Sequence, residues 1–360
     1  MSIVSCGIVG LPNVGKSTLF NALTEGSALV ANYPFATIDP NIGIVAVPDE
    51  RLKVLADIYK TDKIVPATVT FTDIAGLVAG ASQGEGLGNR FLSHIRNCQA
   101  IVQVVRAFDD STVQHVDNEP NPKRDIDTVN TELVLADLAT IERHLLKIEK
   151  EARANPKLIP IVNLAKKAHE LLDSDTPLWS SAEDWEDLAD LQLITTKPVQ
   201  YVFNVSEEQL TDAVLTGDLA KLVQPAPSLN ICAKLEAELN ELDQSDRQEL
   251  LSSYSLNESG LQRLVKQVYD LLSLQSFLTA GAKEVRAWTV EQGSTAPKAA
   301  GVIHSDFERG FIAAEVVSYA ELVNAGSLTK ARSNGQARTE GRDYVVKPDD
   351  IIEFKFNVSK

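Results

Sequence analysis

The chain has 360 residues, 44% hydrophobic and 23% charged, enough to bury the cores of two or three domains without staples. A formal net charge of -16 excludes a surface built for indiscriminate nucleic-acid binding, while leaving room for a local basic patch. Three scattered cysteines, Cys6, Cys98 and Cys232, suggest neither a zinc site nor a disulfide framework and read as plain thiols of a reducing compartment.

In chain order, residues 3–9 read as a strand and residues 17–24 as a helix that stops at Glu25-Gly26. Residues 67–72 and 101–107 are further strands, so the first 120 residues alternate β and α as a parallel α/β sheet does. No basic leader and no apolar run long enough to span a bilayer is seen, so a soluble cytoplasmic protein without a membrane partner is expected. Between about 125 and 195 the pattern changes. Val134, Leu138, Ile141, Leu145 and Ile148 recur in steps of four and three, a heptad-like stripe on one helix. Asn155-Pro156 breaks that helix, and Ile161, Leu164, Ala168 and Leu171 form a second stripe. Two such helices make a hairpin, the first reaching roughly 30 Å, either packed flat on the domain or projecting as an arm toward a partner.

Residues 198–204 resume the strand pattern, with helices expected at 212–222 and 261–272. From 276 onward a small α+β module follows, with strands expected at 285–290, 299–303, 310–317 and 351–356 and one helix at 318–325. Residues 277–360 carry 11 basic and 11 acidic side chains, so the whole deficit lies upstream. Lys330, Arg332, Arg338 and Arg342 occupy a loop-like stretch opposed only by Glu340, which reads as a solvated turn or as an RNA or phosphate contact.

The chemistry resides in Gly10-Leu11-Pro12-Asn13-Val14-Gly15-Lys16-Ser17, which fits G-x-x-x-x-G-K-[ST] between a strand and a helix. Its glycines let the backbone of Asn13, Val14 and Gly15 wrap phosphate oxygens, and the helix N-terminus beginning near Lys16, Ser17 and Thr18 adds its positive dipole end. Lys16 is assigned to the β and γ phosphates and Ser17 to Mg2+. Asp73, at a strand's C-terminal end, is expected to hold Mg2+ through water, and the Gly76 N–H to sense the γ-phosphate. Thr37 is expected to close over Mg2+ when triphosphate is bound. Asn204-Val205-Ser206-Glu207 stands where guanine-specific relatives of this arrangement carry Asn-Lys-x-Asp. Without that aspartate most of the preference for guanine is lost, and the Asn204 amide is offered to the N6/N7 edge of adenine. Val205 lacks the cation that would lie along the base, and Cys232-Ala233-Lys234 is placed behind it.

Together these residues resemble the YchF or Obg-like ATPases over essentially the whole chain, through GLPNVGKST, NYPFATIDPN, DIAGLVAGASQGEGLGNRFL and LITTKPVQYVFNVSE. The resemblance implies a Ras-like P-loop NTPase fold, with the G domain in 1–124 and 196–275, a coiled-coil insertion in 125–195, and a β-grasp TGS domain in 276–360. It further implies ATP as substrate, Mg2+ dependence, ribosome association, and RNA contact through the TGS domain and the arm. In related proteins an asparagine at the place of Asn13 ligates K+ beside the phosphates, so K+ stimulation is expected unless Asn13 only shapes the loop. Leu77 follows Gly76 where many relatives carry a water-orienting glutamine, which predicts slow hydrolysis or a catalytic group from elsewhere. His115 is one candidate for that group, an exposed loop histidine being the alternative. Competing readings are an Obg-type GTPase with Glu207 reading guanine, and a nucleotide-gated binding module with negligible turnover. A structural protein with a dead P-loop fits poorly, because Lys16, Ser17, Thr37 and Asp73 are intact.

Overall fold

The computed structural model describes residues 4–25, 42–74, 87–109 and 120–357. The expectations for Thr37, Gly76, Leu77 and His115 fall outside these residues. Two compact units are present: Val4–Val45 with Thr70–Leu264, and 46–69 with 265–357.

In chain order the elements begin β1 (Ser5–Val9), α1 (Lys16–Glu25), β2 (Ile42–Ala46), α2 (Arg51–Tyr59), β3 (Ile64–Val65), β4 (Thr68–Asp73), α3 (Leu87–Arg96) and β5 (Ala100–Arg106). The hairpin helices α4 (Pro122–Ala154) and α5 (Ile159–Asp173) follow, then β6 (Val199–Asn204), α6 (Ala213–Lys221), β7 (Ser228–Ile231), α7 (Ala233–Glu241), α8 (Gln244–Ser253) and α9 (Gly260–Leu271). The chain closes with β8 (Leu274–Ala280), β9 (Val285–Glu291), α10 (Ala296–Ile303), α11 (Ser305–Arg309), β10 (Phe311–Ser318), α12 (Tyr319–Ala325), α13 (Leu328–Ser333), β11 (Arg338–Glu340) and β12 (Asp350–Phe356).

The nucleotide unit is built on a six-stranded sheet in the order β2-β4-β1-β5-β6-β7. β1 lies parallel between β4 and β5, β5 is parallel to β6, and β6 to β7. All seven residues of β5 and all six of β6 are buried, the near-continuous apolar pattern of strands covered on both faces. The register pairs Ile8 with Asp73, Arg106 with Asn204 and Asn204 with Ile231. The C-terminal ends of these strands therefore line up at one edge of the sheet, where ligands of open α/β sheets bind.

Helix α4 starts at Asn121, whose side chain accepts from the Arg124 N–H at 3.1 Å, with Pro122 in the first turn. It runs for 33 residues, about 50 Å at 1.5 Å per residue and longer than the stripe alone predicted, because buried positions begin at Asp125 and Ile126. The expected stripe packs as predicted: Val134, Leu138, Ile141 and Leu145 meet Ile161, Leu164, Ala168 and Leu171 of α5. Trp185, Leu188 and Leu193 close the base of this cluster. Asp137 pins the returning chain there, accepting from the Ile194 and Thr195 N–H groups at 2.9 and 2.7 Å and from the Thr195 hydroxyl at 2.8 Å. Burial raises its carboxyl, and these donors with Arg96 at 3.6 Å oppose the shift.

The second unit is a mixed sheet, β11-β10-β12-β8-β9-β3. Its core of Phe277, Val290, Phe311, Ala314, Val316 and Ile352 is covered by Ala296, Ala299 and Ala300 of α10, which agrees with a β-grasp module. Residues 299–303, expected as a strand, lie in α10 instead. Pro297 sits in its first turn after an extended Thr295, and its small buried alanines let the helix lie close to the sheet. The loop-like stretch from Lys330 to Arg342 is likewise partly regular, holding the end of α13 and β11. Nor is Glu340 the only acid there: Arg332 pairs with Glu315 and Glu353. Residues 46–69, read from the sequence as part of the nucleotide domain, belong to this second unit. There α2 buries Leu52, Leu55 and Ala56, and Arg51 bonds Asp49 and Asp349.

Candidate functional site

The loop between β1 and α1 is shaped by three residues with positive φ: Gly10 at 151°, Asn13 at 60° and Gly15 at 93°. A Cβ on Gly10 would run into the Val104 carbonyl, and one on Gly15 into the Asn204 amide, so both positions need glycine on two counts. Lys16 is buried, 7% exposed, and its Nζ donates to the Leu11 carbonyl at 2.6 Å. The ammonium is thus folded against the loop that should cradle phosphate. Burial lowers its pKa to about 8, with the Asp73 carboxylate opposing the shift. Asp73 ends β4, and its Oδ2 accepts from the Ser17 hydroxyl at 3.3 Å. Burial raises the Asp73 carboxyl, while Ser17 and Lys16 pull it down. Its Oδ1 is buried with no hydrogen-bond partner among the described residues. Lys16, Ser17 and Asp73 are therefore brought together, and an orphaned carboxylate oxygen beside a hydroxyl is a hard oxygen set that fits Mg2+. Asn13, Ser17 and Thr18 face solvent, and Val14 is buried.

The other end of the site is organised differently. Asn204, 6% exposed at the end of β6, donates from Nδ2 to the Val14 carbonyl at 2.9 Å. Its Oδ1 accepts from the Ala233 N–H at 3.0 Å. The amide that the sequence offered to adenine instead bridges the phosphate loop to the N-terminus of α7. The physical reason is burial, which makes unpartnered amide atoms costly. Val205 is 1% exposed and its N–H donates to the Ile231 carbonyl, so it locks the strand ends together. Cys232, also buried, packs with Leu235, Leu239 and Leu251, with Tyr254 against the same cluster.

Glu207 carries the most informative geometry. Its Oε1 accepts from Lys234 Nζ at 3.1 Å and its Oε2 from the Tyr254 hydroxyl at 2.9 Å. Lys234 first, then Tyr254, holds the Glu207 carboxyl below its ordinary range. Both oxygens that could accept the guanine N1–H and N2–H2 donors are already engaged. The sequence reading placed Lys234 near the base but missed Tyr254, which lies 47 positions beyond Glu207 with no local motif to mark it. It also passed over Arg106, fully buried at the end of β5, whose Nε donates to the Phe108 carbonyl at 3.2 Å and whose guanidinium lies over the Phe108 ring.

Comparison with known proteins agrees with this arrangement. Residues 5–163 match the MMR_HSR1 family, described as a 50S ribosome-binding GTPase, and residues 274–357 match YchF-GTPase_C, described as a protein of unknown function. The chain is 47% identical to a Bacillus subtilis protein named ribosome-binding ATPase YchF, over 99% of this chain and 100% of that one. A Haemophilus influenzae protein of the same name is 46% identical over 98% and 99% of the two chains. A solved structure titled the Schizosaccharomyces pombe YchF GTPase superposes with a TM-score of 0.87 at 36% identity, covering 99% of this chain and 98% of that one. The printed names thus differ over the nucleotide, which makes the base end of the site decisive.

Proposed function

From a chain that belongs to the YchF family, we infer a ribosome-binding ATPase that prefers ATP to GTP, hydrolyses it slowly and acts as a nucleotide-dependent switch in translation. One observation carries the choice of nucleotide: the Glu207 carboxylate is held on both oxygens, by Lys234 and by Tyr254. Reading guanine would require that carboxylate to turn its remaining lone pairs toward the base against the two charge-assisted hydrogen bonds that fix its orientation. Adenine, with no N1–H or N2–H2 group, makes no such demand.

At the phosphate end, Lys16 leaves the Leu11 carbonyl for the β and γ oxygens, and the N–H groups of the loop and the first turn of α1 surround the remaining charge. Ser17 and Asp73 are the residues that would hold Mg2+, with Thr37 closing from the other side. When bound, Mg2+ supplies neutralisation of the charge on the phosphates. Gly76 is assigned to the γ-phosphate and Asn13 to K+; equal turnover in K+ and Na+ would remove the latter role. Leu77 cannot orient water, so the catalytic group is assigned to His115, and an unchanged kcat in His115→Ala would reject it. No helix among the described residues is long and apolar enough to cross a membrane, and the ribosome-binding reading supports a cytoplasmic location. The experiment is ATP turnover with and without ribosomes. Stimulation by ribosomes supports the reading; nucleotide binding without turnover under both conditions would favour a non-enzymatic switch.

A further inference from the structure

In the second unit β12 pairs with β10 over its whole length, from Phe311↔Phe356 to Ser318↔Asp350, but meets β8 at a single register pair, Ile351↔Leu278. β8 stays instead with β9 as far as Ala280↔Val285, and the chain then turns through residues 281–284. Beyond Ile351 two neighbouring strands of one sheet therefore part, and a cavity of about 420 Å³ occupies the opening. A Cβ on Gly281, at its rim, would meet nothing within 4 Å. Protein interiors are packed at crystal-like density, so an opening of this size is an exception, and it falls in the range of small-molecule sites.

The lining differs between the two faces of the sheet. Ile352, Ile303, Phe307 and Phe354 line the slot from the face covered by α10, where they join the apolar core. Glu315 and Glu353, a cross-strand pair, alternate to the other face, together with Val317 and Tyr59 of α2. The Tyr59 hydroxyl is buried and has no hydrogen-bond partner among the described residues, a state that costs stability until a partner arrives. Burial holds this phenol above its ordinary range, so it stays protonated at neutral pH. The charges that act on it are those of Arg332, Glu353 and Glu315. Arg332 bridges the other two, paired with Glu315 and reaching Glu353 at 3.0 Å. Two carboxylates that share one guanidinium leave one negative charge beside the phenol. Lys283 and Glu284 belong to the turn, where Glu284 is paired with Lys63 at 2.6 Å.

We propose that this slot binds a small amphipathic amine, its primary ammonium group set against Tyr59, Glu353 and Glu315 and its aromatic or branched apolar body in the opening between β12 and the β8–β9 turn. An ammonium group has three donors and no acceptor, which suits a phenol oxygen and the carboxylate lone pairs that Arg332 leaves over. An anion would face the uncompensated carboxylate, and a wholly apolar ligand would leave the Tyr59 hydroxyl unpartnered. Every lining residue lies in the second unit, so the site stands or falls independently of the ATPase reading.

The test titrates isotope-labelled full-length protein at pH 7 with tryptamine and, separately, with indolepropionate, which carries the same ring and a carboxylate in place of the amine. Tryptamine should give saturable amide shifts at residues 279–284 and 351–354, with an affinity at least about tenfold above that of indolepropionate. Tyr59→Phe should weaken tryptamine binding by about three- to tenfold while the melting temperature of the free protein holds or rises, because an orphaned hydroxyl has been removed. A tyrosine with only a structural role would lower the melting temperature and leave the affinity alone. Glu353→Gln, an exposed change, should remove most of the preference for the amine, with ATP affinity unchanged in both variants. The absence of saturable shifts, shifts confined to other residues, equal affinity for the two probes, or full tryptamine affinity in Tyr59→Phe would each overturn the proposal.

Discussion

At the phosphate end of the site the Lys16 ammonium is buried with a backbone carbonyl as its partner and one Asp73 oxygen has no hydrogen-bond partner among the described residues, whereas at the base end Asn204 and Glu207 have partners on every side-chain heteroatom. The contrast separates two uses of buried polarity. Groups left short of partners wait for a charged ligand that will satisfy them, and groups already satisfied fix the walls of the pocket. In the second case the residue type seen in the sequence says little about ligand recognition, because the side chain is spent on the protein itself.

The largest effect should come from removing the waiting cation. Lys16→Ala is expected to lower kcat by about 10^2 to 10^3 in single-turnover assays, the scale for losing a charge aimed at the transition state. Its melting temperature should hold or rise, because burial disfavours the Lys16 charge in the nucleotide-free fold. Next comes Gly15→Ala, which strikes both ends. Its φ of 93° disfavours a side chain, and the new methyl would displace the Asn204 amide. The expected cost is about 1–3 kcal/mol of stability by denaturant titration, together with weaker binding of every nucleotide.

Freeing the satisfied carboxylate tests the other side of the comparison. Tyr254→Phe combined with Lys234→Ala releases both Glu207 oxygens from the partners that orient them, and the ratio of GTP to ATP affinity should rise about tenfold. An unchanged ratio would mean that Glu207 does not face the base. Affinity should also depend on pH through Lys16. Its pKa is about 8 in the nucleotide-free fold and is raised by bound phosphates, so binding takes up a proton and weakens as pH rises. Between pH 7 and pH 9 the loss should approach tenfold, read by calorimetry in buffers of different ionisation enthalpy. In the absence of nucleotide the sign reverses. The unfolded chain holds the Lys16 proton up to about 10.5, so fold stability rises across the window between the two values.

Much of this site was legible in the sequence because it is local. The P-loop spans eight consecutive residues between a strand and a helix, and Asp73 follows an obvious apolar run. The heptad-like stripe likewise foretold the pairing of α4 with α5, since its period is a property of one helix. What stayed hidden depends on distant pairing. Tyr254 meets Glu207 across 47 residues, and Asn204 reaches Val14 across 190. Residues 299–303 read as a strand although they lie in α10, because a short buried helix and a buried strand share the same apolar pattern and the helix start is marked only by Pro297. Membership of 46–69 in the second unit likewise rests on contacts with strands more than 200 residues away, such as β3 with β9.

The most direct test of the central claim is the affinity of the nucleotide-free protein for ATP and for GTP, each with Mg2+, by titration calorimetry at pH 7. A committed Glu207 carboxylate predicts ATP binding at least about tenfold tighter than GTP. GTP binding as tight as ATP, or tighter, would contradict it, and would mean that Glu207 leaves Lys234 and Tyr254 to read guanine.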